Sequence, residues 1–181
     1  ISKIAIAVNM AEKEVVAKEL KIKQKAVFDM GELYQIMFRW FSQHNYDFQE
    51  KQYMEKKNPD CGKNLEIKWI ATRKINDYVK FQIDIVFTMV NLVEVEVEVD
   101  GRKVNKHKAN SEIKFDATLM KNYENKWDKN AFLRFIREVY DTYIIRSRIE
   151  DYKAELYSEI YELIDEVKAF LNMYKFEGIT V

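Results

Sequence analysis

The chain has 181 residues, of which 48% are hydrophobic and 33% are charged, and its 30 basic and 30 acidic side chains give a formal net charge of zero. This length suits one domain with a sizeable core, and the balanced charge provides no global field that would attract nucleic acid or an anionic membrane. The single cysteine, Cys61, excludes an internal disulfide and favours a reducing, cytoplasmic compartment, and no apolar run reaches the about eighteen residues of a membrane span.

The first part of the chain predicts a strand followed by a helix. Between Glu19 and Phe28 apolar side chains alternate with lysines, which is the pattern of a strand with one solvated face. Asp29 is the expected N-cap of a helix from Met30 to about His44. The apolar residues that recur there at helical spacing are Leu33, Ile36, Met37, Trp40 and Phe41.

Further strands come after the helix. A second strand is marked by Tyr46, Phe48 and Tyr53, and it ends in a lysine-rich turn around residues 58–62. Strict alternation then predicts two more strands, in which the residues that share the buried face are Leu65, Ile67, Trp69, Ala71, Val79, Phe81, Ile83, Ile85, Phe87 and Met89.

We expect these two strands to form a hairpin around a three-residue loop at 75–77, with Asn76 or Asp77 in the left-handed conformation. That register pairs Trp69 with Ile83 and Ile67 with Ile85. It also sets Lys68 opposite Asp84, so we interpret Asp84 as a structural partner before a catalytic acid.

The alternation continues past Asn91 as a series of valines separated by glutamates, up to Val99. A straight strand from Val79 to Val99 would span about 70 Å, so the strand must bend or turn, with Asn91 as the expected place, or project as an arm. The glutamates Glu94, Glu96 and Glu98 share one face. Since neighbouring members are about 6.6 Å apart, we interpret them as a solvated face and not as a cation site.

Asp100-Gly101 is a strong signal for a tight turn between this strand and the next one. The turn aligns Glu98 with Lys103 and Glu94 with His107. The apolar faces of the two strands then match only if one extra residue is inserted, and we expect a bulge between residues 106 and 110. It would set Phe115 opposite Phe87 and Ile113 opposite Met89.

From about Lys129 to Phe176 the chain has neither glycine nor proline, and its apolar residues recur every three to four positions. This predicts one very long amphipathic helix, with Asp128 as its N-cap. Polar residues at Thr142, Arg146 and Lys153 interrupt the apolar stripe. We therefore expect residues 132–145 to dock on the sheet and residues 149–174 to pair with another surface.

The fold class is therefore predicted as α+β: a curved antiparallel meander packed against a short helix and a very long C-terminal helix. Residues 1–128 would hold the N-terminal segment, the short helix and the sheet. Residues 129–176 would form the long helix, whose first part belongs to the same domain and whose distal part is free to project.

Chemical motifs are sparse. The four glycines are isolated, so no phosphate-binding loop exists, and the two histidines, His44 and His107, lie in unrelated segments. We predict no catalytic residue, no metal site and no cofactor, and an enzyme is the least favoured of three functional hypotheses.

Charge is unevenly distributed along the chain. Residues 102–114 are mostly basic and residues 150–166 are mostly acidic. They are either two solvated faces, or surfaces for docking within the chain or between copies, or a patch for an RNA or phosphate partner. Specific recognition of nucleic acid is the less favoured interpretation, because the basic residues are mainly lysines without interleaved exposed aromatic rings.

The order of elements, namely strand, helix, antiparallel meander and long terminal helix, resembles the helix-grip architecture of START-like lipid and polyketide-binding proteins. The likeness covers about residues 18–174. It implies a hydrophobic pocket between the terminal helix and the sheet. The aromatic residues that would line this pocket are Trp40, Trp69, Phe81, Phe87 and Phe115.

The favoured function is non-enzymatic: an interaction or scaffold protein that uses its long C-terminal helix for self-association or for binding a protein partner. The predicted interface comprises Ile149, Leu156, Tyr157, Ile160, Tyr161, Leu163 and Val167. The alternative is a helix-grip-type protein that binds a hydrophobic small molecule or lipid. The abundance of Lys, Glu, Ile and Tyr is also similar to the composition of thermophilic proteins.

Overall fold

The computed structural model describes residues 12–58, 62–99, 102–124 and 131–176. The strands are β1 (Glu12–Phe28), β2 (Asp47–Asn58), β3 (Gly62–Lys74), β4 (Val79–Val99) and β5 (Arg102–Lys121). The helices are α1 (Met30–Gln43), α2 (Ala131–Val139) and α3 (Arg146–Phe176), and a π-helical turn, Tyr140–Ile144, separates the last two. The predicted α+β class is confirmed. Cys61, the Asp100-Gly101 turn and the expected cap Asp128 lie outside the described residues.

The five strands form one antiparallel sheet in the order β1-β5-β4-β3-β2. The strand β1 forms one edge of the sheet, next to β5. It begins at Glu12 and not at Glu19 as predicted. Register irregularities between Val15 and Leu20 interrupt the alternation there. Glu19 has a positive φ of 53°, and its backbone N–H donates to Asp116 Oδ1 at 2.6 Å. Because this interruption breaks the period-two alternation, the sequence pattern did not reveal the first half of β1.

Between β3 and β4 the buried faces are as predicted, but the pairing is displaced by two residues. Trp69 lies opposite Ile85, and Asp84 lies opposite Ile70 instead of Lys68. The side chain of Asn76 accepts the backbone N–H groups of Tyr78 and Val79, each at 2.8 Å, and this contact closes the loop one residue later. The prediction that Asn76 or Asp77 adopts the left-handed conformation was also wrong, since neither residue has a positive φ.

The ladder of β4 is interrupted at Asn91, where the bend was predicted, and Asn91 has a φ of 56°. Among the described residues, residues 93–99 pair only with β5. The extra residue that matches the apolar faces is in β4, because the pairing steps from Val90 opposite Asn110 to Val93 opposite Lys108. The predicted bulge in β5 was therefore wrong, and Phe115 faces Ile85 instead of Phe87. The expected alignments of Glu98 with Lys103 and of Glu94 with His107 are confirmed.

The core lies between one face of the sheet and the helices α1 and α3. Asp29 caps α1 as predicted, and its carboxylate accepts the N–H groups of Gly31 and Glu32. The aromatic residues of α1 pack over β2 and β3, where the ring centroid of Trp69 is 4.4 Å from that of Tyr34 and 4.7 Å from that of Phe48.

The sequence leaves open whether the terminal helix is continuous near Arg146, and the structure interrupts it with a π-helical turn, Tyr140–Ile144. The backbone N–H of Ile145 donates to the carbonyl of Tyr140 at 2.9 Å, which closes the wider π turn just before Arg146. The docked and free parts are the reverse of the prediction. The distal helix α3 packs on β1 and β5 and touches α1.

A physical reason for this reversal lies in the inward positions of β1 and β5, several of which carry alanine. These buried alanines are Ala17, Ala26, Ala109 and Ala117. Small side chains let the backbone of a helix approach a sheet closely. The same face of β3 and β4 has one buried alanine, Ala71, beside rings such as Trp69 and Phe87, although β1 and β5 also carry the buried rings of Phe28 and Phe115. The half of the terminal helix that meets the alanines is α3.

Candidate interaction surface

Exposed aromatic side chains mark α2 and the π turn. Phe132, Phe135 and Tyr143 are 69%, 60% and 81% exposed, and α2 has no buried residue. Phe132 and Phe135 are three residues apart and share one side of α2, and Tyr143 follows in the π turn. We call these three residues the aromatic strip. Exposed apolar side chains of this size are candidates for an interaction surface.

The other side of α2 is attached to the domain. Arg137 Nη2 lies 3.1 Å from Glu12 Oε2 in β1, and Arg137 Nε donates to the hydroxyl of Tyr78 at 3.3 Å. The rings of Tyr78 and Tyr140 meet edge to face, with centroids 5.7 Å apart. These contacts hold α2 against the loop between β3 and β4, and they leave the aromatic strip in solvent.

The π turn explains why one apolar stripe in the sequence becomes two faces in the structure. A π turn holds more residues than an α-helical turn, and each inserted residue rotates the next helical segment by about 100°. Ile145 and Ile149, directly after the turn, are buried against the domain. The apolar residues of α2 are therefore out of phase with those of α3, and the aromatic strip does not continue onto the sheet.

A network of ion pairs surrounds the π turn. Glu14 in β1 is 2.7 Å from Lys121 Nζ and 2.6 Å from Lys153 Nζ, and Lys153 also contacts Glu150 at 2.9 Å. Burial tends to raise the pKa of Glu14, but the hydrogen bonds and charges of Lys121 and Lys153 outweigh it and lower that pKa. The hydrogen bond that Lys153 donates to the carboxylate of Glu14 raises the pKa of Lys153.

This network borders a groove of about 340 Å³, whose wall includes Thr142 and Arg146. Because Glu14 is paired with two lysines, it stays ionised and is not poised to exchange a proton near neutral pH. The network joins β1, β5 and α3. We assign it a structural role, which is to fix the position of the π turn and hence of the aromatic strip.

A second charged cluster attaches α3 to the end of β3. The guanidinium group of Arg73 lies 2.6 Å from Glu155 and 2.8 Å from Glu159, and it stacks over the rings of Tyr46 and Phe81. The hydroxyl of Tyr46 donates to Glu159 at 2.7 Å. Burial, and then the negative charge of Glu159, raise the pKa of Tyr46 well above its ordinary value. The tyrosine therefore stays neutral and acts as a donor.

Of the seven residues predicted as an interface, five are buried inside the chain: Ile149, Leu156, Ile160, Leu163 and Val167. Their partner surface is the chain's own sheet, which explains the apolar stripe without a second molecule. Tyr157 and Tyr161 remain accessible, with ring centroids 4.5 Å apart. Sequence reasoning placed Phe132, Phe135 and Tyr143 in the stripe but took them as docked, because nothing in the periodicity revealed the π turn.

The five aromatic residues proposed to line a ligand pocket are all buried. Only Trp69 and Phe87 border the recess between α1 and the sheet, which they share with Met30, Leu33, Tyr34 and Ile67. The volume of this recess is about 10 Å³, room for about one water molecule. A drug-sized ligand fills a pocket of about 300 Å³ or more, so it could enter this recess under α1 only by displacing the packed side chains.

Other kinds of site receive no support from the described part of the chain. There, no three His, Cys, Asp or Glu side chains converge to hold a metal ion, and Glu96 contacts Lys103 at 3.4 Å. None of the helices in the described ranges combines the length and apolarity needed to cross a membrane. No protein-family model, curated protein or solved structure matches this chain.

Proposed function

We propose that the chain is a non-enzymatic interaction protein that self-associates through the aromatic strip of its C-terminal helical segment. The observation that carries this proposal is the exposure of Phe132, Phe135 and Tyr143 on a helix that the domain holds in place by its other side. Burial of one large apolar side chain stabilises an interface by about 1.5–3 kcal/mol. Two copies of the strip are enough for a weak but specific contact after the cost of association.

A second copy of the chain is the partner that the flanking charges favour. Arg134 and Glu138 are exposed beside the strip, and neither forms an ion pair with another described residue. If two strips pack antiparallel about a two-fold axis, Arg134 of one copy lies beside Glu138 of the other. The same patch then serves both copies, with apolar rings at its centre and opposite charges at its rim.

This proposal assigns the interface to α2 and the π turn. The interface predicted from the sequence lay farther along the chain, in α3. Tyr157 and Tyr161 offer a smaller aromatic surface on α3. We also keep the helix-grip resemblance as a proposal about architecture. It is supported by the long terminal helix that lies across β1 and β5.

Sedimentation equilibrium of three proteins tests the proposal: the wild type, the double variant Phe132→Ser/Phe135→Ser, and the control Phe38→Ser. The control changes an aromatic residue of α1 that is 51% exposed. We expect the wild type and the control to show a mass that rises with concentration toward that of a dimer, and the double variant to remain monomeric. A wild type that stays monomeric at every concentration, or a double variant that associates as the wild type does, would overturn the proposal.

A further inference from the structure

The solvent-facing side of β1 and β5 carries a row of lysines, opposite the side that packs on α3. Residues alternate between the faces of a strand, so the lysines next to the buried Ile22, Ala26 and Ile113 point to solvent. We call this set the lysine face. Its members are Lys21, Lys23, Lys25, Lys108 and Lys114.

The strand register brings lysines together at one end of this side of the sheet, whereas Asp84 and Asp116 lie opposite each other on the same side, farther along β4 and β5. Lys21 lies directly opposite Lys114, an arrangement of like charges that destabilises a sheet. One carboxylate, that of Glu112, serves both Lys23 at 2.7 Å and Lys114 at 3.1 Å. Among the described residues, Lys21, Lys25 and Lys108 form no ion pair. A local arrangement that costs stability is expected where a surface serves a function.

The lysine face has open grooves next to the bulge at Asn91. Two adjoining grooves of about 390 and 410 Å³ share Lys25 and Asn110, and the second groove also contains Lys108 and Gly62. Gly62 has a φ of 87°, and a Cβ at this position would come within 2.6 Å of the carbonyl oxygen of Leu92. A glycine is therefore required for the close approach of backbones that forms the wall of the groove.

Several acidic residues of α3 already have a basic partner within the chain. Glu155 and Glu159 are held by Arg73, and Glu150 is held by Lys153. Glu162 lies 3.7 Å from His44 Nε2. These four acidic residues already contact basic groups of their own chain, so we look for the anion that the lysine face binds in another kind of molecule.

The chemistry of the face selects the kind of anion. Lys21, Lys23 and Lys25 repeat at about 6.6 Å along one strand, which suits a ligand with regularly repeated charges. The same side of the sheet carries Val27, Val86, Thr88 and Asn110 near these lysines. This surface therefore offers ammonium groups rather than aromatic rings on which bases could stack. Lysines contact phosphates as point charges and carry little information about base sequence.

We propose that the lysine face binds the sugar-phosphate backbone of a nucleic acid without preference for base sequence. This binding goes beyond the self-association proposed above and does not depend on it, because it uses the sheet and not α2. Each lysine that neutralises a phosphate releases a counterion. The affinity therefore falls with salt, with a slope of about 0.7–0.9 per contact in the logarithmic plot.

Fluorescence anisotropy with a labelled mixed-sequence oligonucleotide, as single strand and as duplex, tests the proposal over about 50–200 mM KCl. The test variant is Lys21→Gln/Lys25→Gln/Lys108→Gln. The control, Lys51→Gln/Lys57→Gln/Lys168→Gln, changes the net charge equally on β2 and α3. We expect the test variant to bind at least about tenfold more weakly, with a salt slope reduced by about 2–3, and the control to bind within about twofold of the wild type.

Three results would overturn the proposal. The first is a wild type that does not bind the oligonucleotide even at the lowest salt concentration. The second is an equal loss of affinity in the control, which would mean that total charge and not this face is responsible. The third is binding to phosphatidylserine vesicles without binding to the oligonucleotide, which would assign the face to an anionic membrane. Circular dichroism of each variant checks that the fold is retained.

Discussion

Arg73 and Glu159 meet at 2.8 Å where the end of β3 faces α3, and only 15% and 12% of their side chains are exposed. We predict that Arg73→Met lowers the free energy of unfolding by about 3 kcal/mol, because it leaves the carboxylate of Glu159 without its charged partner in a largely buried place. Urea unfolding followed by circular dichroism measures this loss. The exposed pair of Lys74 with Glu124 provides the control, and Lys74→Met should cost less than about 1 kcal/mol.

The reversed docking of the terminal helix gives a second prediction. Leu156 is fully buried on α3, whereas Phe132 is 69% exposed on α2. Leu156→Ala should lower the free energy of unfolding by about 3 kcal/mol, through lost burial and the cavity that remains. Phe132→Ala should change it by less than about 0.5 kcal/mol when measured at a concentration where the chain is monomeric. Equal effects of the two substitutions in urea unfolding would contradict the placement of α3 in the core.

Stability should depend on pH through Glu14. Its pKa in the folded chain is below the usual value of 4.5, so the stabilisation it provides is complete above pH 4.5 and is lost as the pH falls toward the lowered pKa. Lys153 has a raised pKa, so its contribution is complete below the usual value of 10.5 and is lost at higher pH. We predict that Glu14→Gln flattens the acid limb of the stability curve. Urea midpoints measured from neutral pH to below 4.5 would show it, and an unchanged acid limb would argue against the network.

The like-charge pair on the lysine face gives a prediction of opposite sign. Lys21→Glu should raise the free energy of unfolding by about 0.5 kcal/mol, because it replaces a repulsion with Lys114 by an attraction. The same substitution should weaken binding of the oligonucleotide. Thermal unfolding of this variant measures its stability, and fluorescence anisotropy measures its affinity for the oligonucleotide. The two effects are expected to have opposite signs. A loss of stability would show that the repulsion across the strands is already relieved by solvent.

The buried faces of the sheet could be predicted from the sequence, because alternation of apolar and polar residues with period two indicates which side chains of a strand are buried in the core. Ile67, Trp69 and Ile85 illustrate this, since their faces are as predicted although their partners are not. The pairing depended on which residue closes the loop. That was decided by two hydrogen bonds to the side chain of Asn76, a local competition that the pattern of hydrophobicity does not contain.

The candidate surface was harder to predict for a related reason. An apolar stripe predicts that a helix face will be buried. It does not predict which part of that face will pack on the sheet. Phe135 and Leu156 have the same appearance in the sequence, yet one is exposed and the other is buried. The difference arises from the alanines of β1 and β5 and from the π turn. Both act through distances between elements that are far apart along the chain.

The π turn between Val139 and Ile145 has a consequence for how such a surface could arise. Removal of a single residue from Tyr140–Ile144 would restore a regular α-helical turn and rotate α2 relative to α3 by about 100°. The rings of Phe132 and Phe135 would then face a different direction, although no side chain had changed its chemistry. Which aromatic groups this chain presents to other molecules is thus decided by a count of residues, and one in-frame deletion is enough to hide or redirect them.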